Sequence, residues 1–189
     1  MHFKFLNESF EYDGSQLRSL FAYRNYELLG DSLVAWVGSC NVKKEYMVDG
    51  EDLNAGEEIR GQKMLHFILE KFDCALLTAV AIQRLMSSIA LESIRNLSPS
   101  IEMTMNMYRS GDDLYYKDQK LSISIATVSP VSAMIHFALN LNNEGTPVKT
   151  LSFEDLKVPP ETFLETFSRE FIKEITTMEE ATKKVHWVR

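Results

Sequence analysis

Four stretches of the chain place apolar residues three or four positions apart, a spacing that predicts amphipathic helices. The first runs from about Ser15 to Tyr26, after a turn and helix cap at Asp13-Gly14-Ser15. The second lies between Met64 and Phe72, and the third runs from Leu76 to about Asn96. The fourth follows Pro159-Pro160, since proline is well tolerated in a first helical turn. The apolar positions of the four stripes are, in order, Leu17, Leu20, Phe21 and Leu28; Met64, Leu65, Ile68, Leu69 and Phe72; Leu76, Val80, Leu85, Ile89 and Leu91; and Phe163, Phe167, Phe171, Ile175 and Met178.

Other stretches alternate polar and apolar residues, or are short and β-branched, and these patterns predict strands. Ser32 to Gly38 reads SLVAWVG, and Ile101 to Tyr108 alternates throughout. Further strands over 114–116, 119–128 and 132–142 are separated by turn sequences, which together predict an antiparallel meander of three or four strands. The turns are Ser110-Gly111-Asp112, Lys117-Asp118-Gln119 and Ser129-Pro130-Val131.

The arrangement of these elements predicts the fold class. The charged stretch Asn41 to Gln62 is predicted as a loop with one short strand near Tyr46-Met47-Val48. Two blocks of helix and a contiguous run of strands predict an α+β fold, in which helices pack on one face of a central, mainly antiparallel sheet. We expect one domain over residues 1–189, a length at which a chain can bury a sizeable core.

Composition narrows the class of protein. The chain has 20 Lys and Arg against 27 Asp and Glu, a net charge of −7, which disfavours broad binding to nucleic acids or membrane surfaces. The apolar run Cys74 to Ile82 stops at Gln83-Arg84 and is too short to span a bilayer. Two cysteines and four histidines occur singly, so we predict neither a disulfide framework nor a metal site. The N-terminal residues lack the zones of a signal peptide, and we expect a reduced, soluble, cytoplasmic protein.

Two neighbouring predicted strands carry a candidate binding surface. Alternation divides their side chains into an apolar set, expected to pack on helices, and a set that is short or polar. Short side chains leave the backbone approachable, and one lysine offers a compact cation for a phosphate or carboxylate. The alternative interpretation is that these small residues line a packed helix or face water. The apolar set is Leu121, Ile123, Ile125, Ala133, Ile135, Phe137, Leu139 and Leu141, and the other set is Lys120, Ser122, Ser124, Ala126, Met134, His136, Ala138 and Asn140.

Three further groups of residues have a functional and a structural interpretation. Arg18 and Arg24 would bind an anion beside the predicted helix start, or make surface ion pairs. The pair Asp112-Asp113 would hold magnesium with nucleotide phosphates, although ordinary turn chemistry is the favoured interpretation. A triad of Ser122 or Ser129 with His136 and Asp113 lacks the G-x-S-x-G sequence that exposes such a serine, and we do not favour it.

The run GDDLYYKDQKLS, residues 111–122, resembles a segment of biotin and lipoate protein ligases that ends in Lys-Ile/Leu-Ser-Gly. The stretches DGSQLRSLFAYRN, GDDLYY and SIATVSPVSAMIH also resemble an uncharacterised, mainly archaeal family of proteins. The fold of that family is similar to the catalytic domain shared by these ligases and class II aminoacyl-tRNA synthetases. At position 123 the chain has isoleucine where the ligases have glycine. Their glycine-rich arginine stretch has no counterpart, and the nearest candidate, Arg24 to Asp31, contains one glycine only.

The resemblance implies a ligase-like protein that binds a nucleotide or an acyl-adenylate, with activation of a carboxylate or acyl transfer as its chemistry. Lys120 would contact the carboxylate and the α-phosphate, where charge must be neutralised, and Asp113 would hold the turn. Ser122 and Ser124 would form hydrogen bonds with the ligand, and His136 would act weakly as an acid or base. Arg18 would clamp phosphate, and Arg24 is a further candidate for substrate binding. The cofactor is left open, with ATP and magnesium as the candidates, and a homodimer through a sheet edge is expected. The alternative is a non-catalytic module that binds a small ligand or a protein, and enzymatic activity is left open.

Overall fold

A computed structural model of the chain describes residues 1–186 and 188. It contains eight strands, six α-helices and one 3-10 turn at Lys44–Tyr46 among these residues. The strands are β1 His2–Leu6, β2 Ser32–Asn41, β3 Arg60–Phe72, β4 Met107–Ser110, β5 Asp113–Tyr116, β6 Gln119–Lys120, β7 Ser122–Val128 and β8 Ser132–Asn140. The helices are α1 Phe21–Tyr26, α2 Gly50–Ala55, α3 Leu76–Leu97, α4 Ile101–Met105, α5 Phe153–Leu156 and α6 Pro160–Lys183.

The strands form two sheets, and the larger one organises the molecule. Its five strands lie in the order β1-β2-β3-β8-β7, with β1 parallel to β2 and all other neighbours antiparallel. The smaller sheet has the order β4-β5-β6 and is antiparallel. The chain passes from the small sheet to the large one at Leu121, whose N–H donates to the Leu114 carbonyl. The predicted α+β class, with a mainly antiparallel sheet packed by helices, is confirmed.

Each face of the large sheet is covered by a different part of the chain. On one face, α3 and α6 bury a core around Phe67 and Phe137, and we call this the helix face. Phe167 of α6 packs against Phe67 with ring centroids 4.9 Å apart. The opposite face, which we call the open face, carries Trp36 and Ile68 under N-terminal residues. Burial on both faces explains why the central strands are almost wholly apolar.

The stretch between Met64 and Phe72 is a strand, and the predicted helix there is wrong. It belongs to β3, which pairs with β2 on one side and β8 on the other. Side chains from Met64 to Glu70 are all buried, because both faces of this central strand are covered. A continuous apolar run of this kind satisfies a helical stripe as well as a buried strand, so periodicity alone does not separate them.

Three smaller predictions are also wrong. The first helix begins at Phe21 instead of Ser15, because Leu20 has a left-handed backbone with φ of 62° and interrupts it. The Leu20 N–H donates instead to the buried carboxylate of Glu70 at 2.7 Å. The predicted strand over 101–108 is split into α4 and β4. Residues 46–48 are not a strand; a 3-10 turn and α2 occupy that region.

The two long helices and several strands follow the predictions. Helix α3 ends at Leu97, close to the expected Asn96, and α6 begins at Pro160 with proline in its first turn. Strands β2, β5 and β8 occupy the predicted positions. Helix α3 has the length and hydropathy of a segment that could cross a membrane, but 56% of that window is buried inside the protein. Those properties equally describe a core helix, which is the role α3 has in this fold.

Candidate functional site

Two adjoining hollows open on the open face, between the sheet and residues 42–59. The smaller, which we call the His136 pocket, has a volume of about 40 Å³. The larger, which we call the Lys120 cleft, has a volume of about 300 Å³. Asp52, Ile59 and Ile123 line both, so the two hollows share a wall. The pocket is lined by Tyr12, Val42, Tyr46, Met47, Val48, Asp49, Asp52, Ile59, Ile123, Ser124, Ile125 and His136; the cleft by Asp52, Glu57, Glu58, Ile59, Arg60, Met64, Lys120, Ser122, Ile123, Asn140, Thr146, Pro147, Val148 and Thr150.

Residues 10–12 cover the open face beside the His136 pocket. The Phe10 ring stacks on Trp36 with centroids 4.6 Å apart, and the Phe10 carbonyl accepts the indole N–H at 3.1 Å. The Tyr12 ring stacks on His136 at 3.6 Å. Gly38 makes this close approach of the chain feasible, because a β-carbon there would overlap the backbone of Phe10. Aromatic stacking therefore holds the N-terminal segment against the sheet, and the absence of a side chain at Gly38 leaves room for it.

A polar contact ties the N-terminal segment to the wall of the hollows. Asp13 accepts hydrogen bonds from the backbone and hydroxyl of Ser15 and pairs with Lys43 at 2.9 Å. Burial works against ionisation of Asp13, but the Ser15 and Lys43 contacts outweigh it and lower its pKa to about 2. Asp13 thus stays charged at neutral pH, and its pair with Lys43 links residues 13–15 to the start of the 42–59 segment that borders the hollows.

Two buried histidines form a hydrogen-bonded pair at the floor of the pocket. His66 on β3 and His136 on β8 join through His66 Nδ1 and His136 Nε2, which are 3.1 Å apart. The other His66 nitrogen, Nε2, lies 3.3 Å from the Gly38 carbonyl. Burial lowers the pKa of His66 to about 4 and that of His136 well below its ordinary value, with His66 adding to the second shift. Both imidazoles are therefore neutral at physiological pH.

Lys120 lies in the cleft as one half of an ion pair. Its Nζ is 2.7 Å from Asp113 Oδ2, and the two side chains are 29% and 19% exposed. Burial alone would lower the pKa of Lys120, but the charge and hydrogen bond of Asp113 outweigh it and raise that pKa. The other Asp113 oxygen, Oδ1, is buried without a hydrogen-bond partner among the described residues. Asp113, expected to hold the turn, thus pairs directly with the lysine.

The predicted surface of Lys120, Ser122, Ser124 and His136 is divided between the two faces of the sheet. In the register of β7 and β8, Ser124 pairs with Phe137 and Ile125 pairs with His136. Ser124 therefore lies on the helix face, where its hydroxyl bonds Asp112 at 2.6 Å and accepts from Gln83 of α3 at 2.8 Å. Ile123 and Ile125, expected against the helices, face the pocket beside His136. The expected face assignment for β7 is wrong by one residue, which inverts every side chain of a strand.

The remaining predicted site residues either make contacts that hold the fold together or lie outside the hollows. The Ser122 hydroxyl accepts from the Leu114 N–H at 2.9 Å, so it holds the junction between the sheets. Arg18 and Arg24 are exposed and line neither hollow. Asp112 bonds Gln83 and Ser124 while Asp113 bonds Lys120, so the two carboxylates point to different partners. No group of three or more His, Cys, Asp or Glu within residues 1–186 is arranged to hold a metal ion.

Several residues in or beside the hollows could not be identified as site residues from the sequence patterns. His66 lies in the stretch from Met64 to Phe72 that was predicted as a helix. On a helix it would not have been placed beside His136, so it was not identified. Ile59 belongs to the stretch predicted as a loop, and Tyr12 precedes the first predicted turn, in a stretch with no predicted element. Cys40, next to Tyr12, is buried, and burial with the nearby Glu11 raises its pKa to about 12. It is therefore a packing residue and not a nucleophile.

Two relatives are similar to nearly the whole of this chain. An uncharacterized protein from Methanocaldococcus jannaschii is 30% identical over 187 residues, which is 95% of this chain and 82% of the relative. A solved protein of unknown function from Pyrococcus horikoshi is 41% identical, with a TM-score of 0.91 over 99% of this chain and 100% of that one.

More distant structures share the fold alone. The biotin protein ligase of Aquifex aeolicus, solved in complex with biotin and ATP, has a TM-score of 0.61 at 11% identity, covering 95% of this chain and 72% of that chain. Lipoate-protein ligase A, solved bound with ATP, has a TM-score of 0.56 at 12% identity, covering 93% and 86%. The expected resemblance to an uncharacterised family with a ligase-like fold is confirmed. A family model described as "Domain of unknown function (DUF366)" matches residues 1–186, and the chain belongs to that family.

Proposed function

We propose that this protein binds a small carboxylic acid in the two hollows of the open face, with the carboxylate at Lys120 and the apolar body toward the His136 pocket. The observation that carries the proposal is the position of one protonated lysine in a cleft that adjoins the mainly apolar His136 pocket. Support comes from the neighbours of the same fold, one solved with biotin and ATP and another with ATP.

Lys120 has the chemistry to receive a carboxylate without losing Asp113. An ammonium group has three N–H donors, and the contact with Asp113 at 2.7 Å uses one of them. Because the pair is largely withdrawn from water, a charge-assisted hydrogen bond to a second oxygen is stronger there than on the surface. A raised pKa keeps the lysine protonated through the neutral range.

The catalytic form of the proposal is activation of the bound acid by ATP. The carboxylate would attack the α-phosphorus, form an acyl-adenylate and release pyrophosphate, while Lys120 neutralises the charge where carboxylate and phosphate meet. The triphosphate would enter with its own magnesium, since Asp52, Glu57 and Glu58 give the cleft wall negative charge.

The second candidate is a module that binds the acid without activating it. The negative charge of the Lys120 cleft favours the non-catalytic module, because both cations in the cleft already have carboxylate partners. Arg60 is paired with Glu58 at 2.7 Å, and Lys120 with Asp113. Arg18, the predicted phosphate clamp, and Arg24, the other candidate for anion binding, lie outside both hollows. A polyphosphate would therefore meet more negative than positive charge. The cytoplasmic location and the homodimer expected above stay predictions.

The substitution Lys120→Ala is expected to weaken binding of octanoate, biotin or lipoic acid about tenfold or more, because a charge-assisted hydrogen bond is lost. Titration calorimetry with each acid measures this directly. Lys149→Ala is the matched control, because Lys149 also pairs with an aspartate at 2.7 Å but is exposed and lines neither hollow.

Exchange of pyrophosphate into ATP separates the two candidates. Acid-dependent exchange that Lys120→Ala abolishes and Lys149→Ala preserves supports the ligase form. Binding of an acid without exchange supports the module. If the wild-type protein binds none of the acids, with or without magnesium and ATP, the proposal is wrong.

A further inference from the structure

His136 lines the pocket with part of its ring already in contact with other side chains. The side chain is on β8, between β3 and β7, and is 2% exposed. Tyr12 covers one ring face at a centroid distance of 3.6 Å, and Nε2 is occupied by His66. The one polar atom left for a molecule in the pocket is Nδ1, which makes no hydrogen bond within residues 1–186.

The Gly38 carbonyl determines which protons the two histidines carry. A carbonyl oxygen only accepts, so His66 Nε2 must bear the proton in the contact at 3.3 Å. A neutral His66 then has a bare Nδ1, and His136 must donate its Nε2–H to it across 3.1 Å. A neutral His136 is consequently left with a bare Nδ1. Burial favours the neutral form of both rings, and the hydrogen-bonded pair of His66 and His136 therefore has one arrangement of protons.

We infer that the His136 pocket selects ligands whose inserted end carries an O–H or N–H donor, which His136 Nδ1 accepts. This inference rests on the proposed function and specifies the class of acid: a carboxylate at one end and a hydroxyl or amide at the other, joined by an apolar body. A plain alkyl end would leave a buried acceptor without a partner, and such a mismatch costs affinity.

The spacing of the site gives the length of such a molecule. Ile125 pairs with His136 in the register of β7 and β8, and Ser122, which lines the Lys120 cleft, is three residues away on β7. At about 3.3 Å per residue these positions are about 10 Å apart along the strand. Ile59 and Ile123 line both hollows and supply an apolar wall where the two adjoin, and Val42 lines the His136 pocket. A medium-chain acid with a polar ω-end matches this length and lining.

Three acids of the same chain length test the inference on the wild-type protein: octanoate, ω-hydroxyoctanoate and ω-methoxyoctanoate. The hydroxy acid is expected to bind at least about tenfold more tightly than octanoate, since only it offers a donor. The methoxy acid, an acceptor alone, is expected to bind no more tightly than octanoate. Titration calorimetry gives all three affinities.

The variant His136→Phe keeps the stacked ring and removes the acceptor, so the preference for the hydroxy acid should fall to less than about twofold. Equal wild-type affinities for octanoate and ω-hydroxyoctanoate overturn the inference while leaving the proposed function intact. If none of the three acids binds, the proposed function is contradicted. The inference about His136 is then decided by its proton assignment alone.

That assignment is measured by nitrogen NMR of histidine-labelled wild-type protein near neutral pH. His136 is expected to show a protonated Nε2 and an unprotonated Nδ1, and His66 the same pattern. A proton on His136 Nδ1 would make it a donor and overturn the inference whatever the acids do.

Discussion

Replacement of Gly38 by alanine is expected to lower the free energy of unfolding by about 3 kcal/mol. The new β-carbon would overlap the backbone carbonyl of Phe10, and neither strand β2 nor the stacked segment can move without losing contacts. The added methyl group therefore displaces residues 10–12, breaks the bond from the Trp36 indole and uncovers His136. Denaturant unfolding measures the loss.

Gly50→Ala is the control for this prediction. Gly50 begins α2, and a β-carbon there meets no atom within 4 Å. Alanine is a better helix former than glycine, so this variant should be unchanged or more stable by up to about 1 kcal/mol. If Gly38→Ala also stays within about 0.5 kcal/mol of the wild type, the close packing of the N-terminal segment on β2 is not a source of stability.

Lowering the pH from 6.5 to 4 is expected to remove about 3 kcal/mol of stability through His66 alone. The pKa of His66 is about 4 in the folded protein against 6.5 ordinarily, so within this window the unfolded chain binds a proton that the folded chain excludes. Stability is fully present above pH 6.5 and declines as the pH falls toward 4. His136, whose pKa is also lowered by burial, adds a loss of the same sign.

Two carboxyl groups act in the opposite direction and make a control necessary. Burial raises the pKa of Asp52 and of Asp113, so protonation of these groups favours the folded state as the pH falls. The histidine contribution is isolated by comparing the slope of unfolding free energy against pH in the wild type, His136→Phe and His2→Gln. His136→Phe should have a shallower slope, and the exposed His2→Gln should keep the wild-type slope. Identical slopes in all three proteins would contradict the buried neutral pair.

The long helices and most strands were predictable because one physical signal dominated each of them. Helix α6 has a clear apolar stripe facing the sheet and proline at its start, and β8 is bounded by turn residues. Strand β3 was not predictable from periodicity, since burial on both faces removes the alternation that marks a strand. Leu20 shows a different limit: its left-handed backbone depends on Glu70, fifty positions away in the chain.

The candidate site was predictable only in part. Lys120 was identified from its sequence segment and does lie in a cleft, beside Asp113. The facing of β7 was misjudged because Leu121, counted as part of its alternation, belongs to the junction between sheets. Leu121 and Ser122 are both buried, so the true alternation begins one residue later than the pattern indicated. The stacking of Tyr12 on His136 and the hydrogen bond between His66 and His136 depend on tertiary contacts that no short motif encodes.

The central claim is that a small acid occupies the hollows of the open face, and a methyl NMR titration with ω-hydroxyoctanoate tests it most directly. Ile59, Ile123 and Ile125 line the hollows, whereas Ile82, Ile94 and Ile175 lie behind the sheet in the core of the helix face. Saturable shifts in the first three methyl signals, with the second three unmoved, are the predicted result. Shifts confined to other isoleucines, or none at millimolar acid, would contradict the account.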